Sequence, residues 1–176
     1  DIAKVLFTEA EIDKRVEQLG RQIANDYRGK DLVLIGILKG ANIFLGDLMR
    51  KIDIPVILDF MAVSSYGFST ESSGVVKIIK DLDDSIEGKD VLIIEDMIDT
   101  GLTLKYICEN LLSRKPNSLK ICTLLNKPDR RKVDIKIDYK GFDIPDEFII
   151  GYGIDYAERY RNLPYVAALK REVYEK

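Results

Sequence analysis

Residues 91–104 read VLIIEDMIDTGLTL. The unbroken apolar run from Val91 to Ile94 marks a strand covered on both faces. It gives way to two adjacent carboxylates, Glu95 and Asp96, and then to a small turn, Asp99-Thr100-Gly101. A helical pattern, Leu104 to Leu112 (LKYICENLL), follows. Strand, polar turn and helix form the unit from which parallel sheets are built. The turn also poses an electrostatic question. Unpaired N–H groups at a helix start, the helix dipole and the Thr100 and Thr103 hydroxyls all favour an anion there. Gly101 lets the backbone approach a phosphate closely, yet two acids stand beside it. A ligand with two chemical faces removes the conflict: phosphate on the turn, and a sugar diol or an oxygen-liganded Mg²⁺ on the acids. A helix N-cap at Asp99 or Thr100 would explain the turn without any ligand, but not the acid pair.

The same grammar extends outward. Thr8-Glu9-Ala10-Glu11 is a capping-box pattern, and Ile12, Val16, Leu19 and Ile23 recur at helical spacing, which predicts a helix over 9–26. LVLIGIL at 32–38 is a second buried strand, broken by Lys39-Gly40 and followed by a helical pattern through Leu48. VILDFMAV at 56–63 and VVKIIKDL at 75–82 read as a strand and its return, joined by SSYGFSTESSG at 64–74. That connection is too long for a tight hairpin and is expected to be a mobile lid on a β-ribbon. LKICTLL at 119–125 is another buried strand, ending at Asn126-Lys127-Pro128. Further strands are expected at 135–139, 147–151 and 165–169. The fold class is therefore α/β, a central, mostly parallel sheet flanked by helices in one domain over 1–176. The N-terminal segment and parts of 127–176 would form a small hood. Open parallel sheets bind ligands beyond the carboxyl ends of their strands. That rule places Lys39-Gly40, Glu95 to Thr103 and Lys127 on one rim.

Composition narrows the chemistry. The chain of 176 residues has 27 Lys and Arg against 30 Asp and Glu, a formal net charge of −3. Such a balance argues against nucleic acid as the main partner. No apolar run approaches the roughly 20 residues that span a bilayer, so no membrane partner is expected. The two cysteines, Cys108 and Cys122, have no metal or redox spacing and fit a reducing cytoplasm. With no histidine, acid–base work falls to carboxylates, lysines or tyrosines, and any metal to oxygen ligands.

VLIIEDMIDTGLTL resembles the phosphoribosyl-pyrophosphate motif of the type I phosphoribosyltransferases. In its form E-D-x-I-D-T-G-x-T it is similar to the hypoxanthine-guanine members. LKG at 38–40 resembles their pyrophosphate loop and SSYG at 64–67 their catalytic loop. Lys127 falls where their purine-reading lysine lies, and PDEFIIGYGIDYAERYRNLPYV at 145–166 resembles their base-binding segment. The order of these matches covers essentially the whole chain. The resemblance implies a type I phosphoribosyltransferase fold and Mg²⁺-dependent transfer of ribose 5-phosphate to N9 of hypoxanthine or guanine. It further implies Glu95 and Asp96 on the ribose hydroxyls and Mg²⁺, and Asp99 as the acid–base group at purine N7. Thr100, Gly101, Leu102 and Thr103 would hold the 5-phosphate. Leu38, Lys39 and Gly40, with a cis Leu38–Lys39 peptide, would bind pyrophosphate together with Arg161. Lys127 would donate to the 6-oxo group and Phe148 would stack on the base. Ile149 and Asp155 would meet its exocyclic edge, with the Asp155 carboxylate on a second Mg²⁺. Ser65 and Tyr66 would close over the reaction, and a homodimer or homotetramer is implied.

Each residue also has a plainer reading. Lys39 and Lys127 could be solvated lysines, Phe148 core, Asp155 the cap of a short following helix and Arg161 a surface charge. Two rival functions share the fold: a xanthine-preferring transferase, and an RNA-binding transcription attenuator, which would need a basic surface. Asn126 departs from the pattern, since many bacterial relatives carry an acid before the lysine.

Overall fold

The computed structural model describes residues 1–65 and 76–175. Its centre is a six-stranded sheet. In chain order the strands are β1 (Ile2–Phe7), β2 (Leu32–Leu38), β3 (Val56–Ser65), β4 (Val76–Lys80), β5 (Asp90–Ile98), β6 (Ser118–Asn126), β7 (Tyr139–Asp143), β8 (Ile149–Ile150) and β9 (Val166–Leu169). The helices are α1 (Glu9–Asp26), α2 (Asn42–Met49), α3 (Leu102–Leu112) and α4 (Arg171–Tyr174). The large sheet runs β4-β3-β2-β5-β6-β7, and a three-stranded sheet runs β1-β9-β8. β3, β2, β5, β6 and β7 are mutually parallel, while β4 pairs antiparallel with β3.

The continuous apolar runs are buried on both faces by alternation. Leu32 and Leu34 of β2 and Leu92 and Ile94 of β5 join a core that includes Ile12, Val16, Leu19 and Ile23 of α1 and Phe44, Leu45 and Leu48 of α2. Val33, Ile35 and Ile37 of β2, with Val91 and Ile93 of β5, turn to the opposite face and meet Leu104, Ile107 and Leu111 of α3. The period of two along each strand thus serves two helical layers. α1 starts with the predicted capping box: the Glu11 amide donates to Thr8 Oγ1, and the Thr8 amide to the Glu11 carboxylate, each at 3.2 Å.

The structure changes several sequence expectations. The strand expected at 135–139 lies at Tyr139–Asp143. Tyr139 is fixed there by its hydroxyl donating to Asp26 at 2.6 Å, and Phe142 by stacking on Phe7 at 3.9 Å. β1, not foreseen, pairs antiparallel with β9, although the lysine in its IAKVLF sequence disguises it. α3 begins two residues earlier than its pattern, at Leu102, and its cap is Gly101 at φ 84, with no side-chain cap bond. Neither Asp99 nor Thr100 is therefore the N-cap. No helix starts directly after Asp155, whose carboxylate instead accepts from the Glu158 amide at 2.9 Å within a turn. Of the lid expected at 64–74, Ser64 and Ser65 belong to β3; the rest, Tyr66 included, lies outside the described residues. No described helix is long and apolar enough to cross a membrane.

Ile93 is fully buried at the middle of β5, beneath α3. Ile93→Ala should cost about 2–5 kcal/mol. Urea unfolding will check this, and a loss below about 1 kcal/mol would mean that the layer beneath α3 is loosely packed.

Candidate active site

Parallel pairing carries β2, β5 and β6 to the same rim, so their carboxyl ends at Leu38, Ile98 and Asn126 deliver three loops side by side. Lys39-Gly40 follows the first, Asp99-Thr100-Gly101 the second and Lys127 the third. The first loop interlocks with the end of β5 and with the turn after β8 through missing side chains. A Cβ added at Gly40 would run into the Asp96 carboxylate, and one added at Gly153 would run into the Gly40 carbonyl. Gly153 sits at φ +96, where L side chains are strained. The Leu38–Lys39 peptide is cis. Together with Asn42, Ile43, Gly153 and Arg161, Leu38 and Lys39 line a cavity of about 310 Å³.

Glu95 and Asp96 are half-buried at the end of β5. Burial, and then the neighbouring Asp96 carboxylate, push Glu95 well above the usual carboxylate range. Burial also raises Asp96, although its own carboxylate accepts from the Met97 amide at 2.7 Å. Two crowded acids in this setting resist joint ionisation unless a cation joins them. A cavity of about 190 Å³ lies beside them, lined by Glu95, Asp99, Thr100, Gly101 and Thr103. Gly101 closes its floor: a Cβ there would lie 2.9 Å from Ile135 Cδ1.

A larger cavity, about 620 Å³, adjoins the first through Met97 and Asp99, which line both. Its walls include Asp96, Lys127, Phe148, Ile149 and Asp155. Lys127 is only 6% exposed, which removes the solvated-lysine reading. Burial holds its ammonium below the usual lysine value of 10.5, with Asp99 the main group opposing that shift. Phe148, at 37% exposed, is not a core residue; it stacks on Tyr174 at 4.7 Å and meets Tyr156 edge-on at 5.3 Å. Arg161 is more than a surface charge. It donates to the Gly153 carbonyl at 2.7 Å, lies 3.4 Å from Asp155, and keeps Nε buried without a partner among the described residues. Lys39 is exposed and pairs with Glu158 at 3.3 Å.

The structure therefore brings together Leu38 to Gly40, Glu95, Asp96, Asp99 to Thr103, Lys127, Phe148, Ile149, Asp155 and Arg161. Ser65 lies at the end of β3, and Tyr66 is outside the described residues. The lining residues that escaped the sequence reading include Met97, Arg130, Arg171 and Tyr174. Met97 could have been suspected from its place between the acids and the turn. Tyr174 belongs to a four-residue helix, too short for any periodicity. Asn126, the departure from pattern, is buried and bridges Arg131 to Asp143.

Residues 6–157 match the phosphoribosyl transferase domain family. The hypoxanthine-guanine phosphoribosyltransferase of Bacillus subtilis is 58% identical over 175 residues, 99% of this chain and 97% of its own. That of Mycobacterium tuberculosis is 55% identical over 181 residues, 99% of this chain and 90% of its own. The crystal structure of a hypoxanthine phosphoribosyltransferase from Staphylococcus aureus superposes with a TM-score of 0.98 at 58% identity. It covers 100% of this chain, and this chain covers 96% of it.

The buried ammonium has a stability consequence. Because the folded state gives up the Lys127 proton at lower pH than the unfolded chain, stability rises with pH between the depressed value and 10.5. Lys127→Met should be the more stable protein near neutral pH, by on the order of 1 kcal/mol. Its advantage should shrink as pH climbs toward 10.5. Urea unfolding of both proteins at two pH values decides, and an advantage that widens with pH would contradict the account.

Proposed function

This chain belongs to the phosphoribosyltransferase family, and on that footing we propose that it carries out purine salvage. It transfers ribose 5-phosphate from 5-phosphoribosyl 1-pyrophosphate to N9 of hypoxanthine or guanine. The products are IMP or GMP and pyrophosphate. One observation carries the reading: a small cavity on the Asp99–Thr103 turn and a larger one holding Lys127 and Phe148 share Met97 and Asp99. A sugar bridging the two would lie against Glu95 and Asp96.

Each group then has a task. The amides and hydroxyls of Thr100 to Thr103 hold the 5-phosphate at the start of α3. Glu95 and Asp96 accept from the ribose hydroxyls. Lys39, the Gly40 backbone and Arg161 receive the pyrophosphate beside the cavity that Lys39 and Arg161 line. Phe148 provides a stacking face and the Ile149 and Asp155 carbonyls the exocyclic edge. Lys127 donates to the 6-oxo group. Holding N9 in line with C1 makes the displacement effectively unimolecular. The C1–O bond to pyrophosphate breaks, its electron pair leaves with pyrophosphate, and the C1–N9 bond forms. Asp99 takes the proton that the purine must lose. Ser65 and Tyr66 shield the cation-like C1 from water.

The donor set suits Mg²⁺. Mg²⁺ keeps waters and shares substrate phosphates, so one or two carboxylates suffice. Glu95, raised by burial and by its Asp96 neighbour, and Asp96, raised by burial, would gain from a divalent cation, and Asp155 lines the larger cavity with Asp96. Bound there, Mg²⁺ would neutralise charge on the pyrophosphate. A cytoplasmic setting and a homodimer or homotetramer complete the reading.

Lys127 sets specificity. A 6-oxo base offers the buried ammonium an acceptor, whereas the adenine amino group would leave it unpaired, a mismatch of about 10⁴-fold. The test is nucleotide formation from 5-phosphoribosyl 1-pyrophosphate and Mg²⁺ with hypoxanthine, guanine, xanthine, adenine and uracil. IMP and GMP should form, adenine should be rejected, and chelation should stop the reaction. Efficient AMP synthesis would contradict the role of Lys127, and full activity after chelation would contradict that of the carboxylates.

A further inference from the structure

Several charged groups in the base cavity have no task in the reaction as derived, and among them Arg130 touches the Asp99 carboxylate. Lys127 to Arg130 forms a single 3₁₀ turn, Pro128–Arg130, with proline at its start and the Arg130 amide donating to the Lys127 carbonyl at 3.2 Å. In such a turn residues three apart eclipse one another. Lys127 and Arg130 therefore leave it on one side, and both line the cavity. Arg130 Nε donates to Asp99 Oδ1 at 2.8 Å, and Nη1 lies 3.8 Å from Asp146 Oδ2. The backbone beneath is tied to the same strip. Arg131 Nε donates to the Asp99 carbonyl at 3.2 Å, and the Lys132 amide to the Thr100 carbonyl at 2.9 Å. Residues 130–132 thus grip Asp99 and Thr100 by side chain and main chain together.

Stability is a poor explanation of the ion pair. The Arg130 and Asp99 side chains are 46% and 39% exposed, and exposed pairs contribute little. Geometry offers a better one. A carboxylate has two oxygens and about four acceptor sites. Arg130 engages Oδ1, and among the described residues no hydrogen bond reaches Oδ2. We propose that Arg130 is a positioning residue for Asp99. It fixes Oδ1 so that Oδ2 faces the purine proton, while Asp146 steadies the guanidinium from its far side. A proton acceptor aimed by a third group is a recurring arrangement in catalysis. The inference rests on Asp99 being the acid–base group, as read above.

A double-mutant cycle tests it. Arg130→Gln should lower kcat/KM for hypoxanthine by on the order of 10-fold. It should leave the KM for 5-phosphoribosyl 1-pyrophosphate within about 2-fold, and the melting temperature within about 2 °C, as an exposed pair predicts. Arg130→Lys should recover part of the loss. Asp99→Asn alone should lose roughly 10²–10⁴-fold. In that background Arg130→Gln should cost less than about 2-fold more, since groups acting as a unit are not additive. Losses that multiply would overturn the proposal. So would equal damage to both substrates, or a faster Arg130→Gln enzyme, which would make the pair a brake. Wild-type protein assayed alongside separates the two levels. If it makes no IMP, the functional reading fails; if it does and the losses multiply, only the role of Arg130 fails.

Discussion

The site depends on a carboxylate packed against bare backbone. Asp96 occupies the place a Gly40 side chain would take, and the Gly40 carbonyl occupies the place a Gly153 side chain would take. Three segments far apart in sequence therefore meet in one column: the loop after β2, the end of β5 and the turn after β8. No favourable side-chain contact is needed to explain this. Two glycines allow the loops to approach until an acid, a peptide turn and a hairpin share one small volume. The parallel pairing of β2 with β5 supplies the coarse placement, and the glycines supply the rest.

That packing also settles the electrostatics of VLIIEDMIDTGLTL. The two acids are divided between two cavities that meet at Met97 and Asp99. Glu95 lines the small cavity with the turn, whereas Asp96 lines the larger one with Lys127 and Asp155. Met97 stands between them as an apolar divider. A ligand with a phosphate at one end, a base at the other and a sugar between would place opposite demands on opposite walls. Burial raises the protonation tendency of both acids, so the unliganded site resists carrying two negative charges, and a divalent ion would favour their ionisation.

Much of this was legible in the chain. The buried runs at 32–38, 91–94 and 119–125 gave themselves away because a strand covered on both faces has no polar alternation to obscure it. Their common direction then put the correct loops on one rim. What stayed hidden was set by contacts distant in sequence. β1 carries lysine in an otherwise apolar strand and is defined only by pairing with β9. β7 took its register from Tyr139 on Asp26 and Phe142 on Phe7, not from the isoleucines of KVDIKID. Ile135 and Ile137 pack against the α3 layer without belonging to a strand. The αL glycine before α3 overrode the more obvious capping residues, leaving the Asp99 side chain to face Arg130. Arg130 itself was invisible because a single 3₁₀ turn has no periodicity.

If the interlocked glycines set the site, binding of 5-phosphoribosyl 1-pyrophosphate should be sensitive to Gly40→Ala. The new methyl group would displace the Asp96 carboxylate, a movable side-chain end, so the fold should tolerate it. Calorimetric titration in Mg²⁺ should show affinity reduced on the order of 10-fold or more, as expected when one charged hydrogen-bonding group is lost. The urea midpoint should hardly move. Unchanged affinity in a normally folded variant would contradict the account.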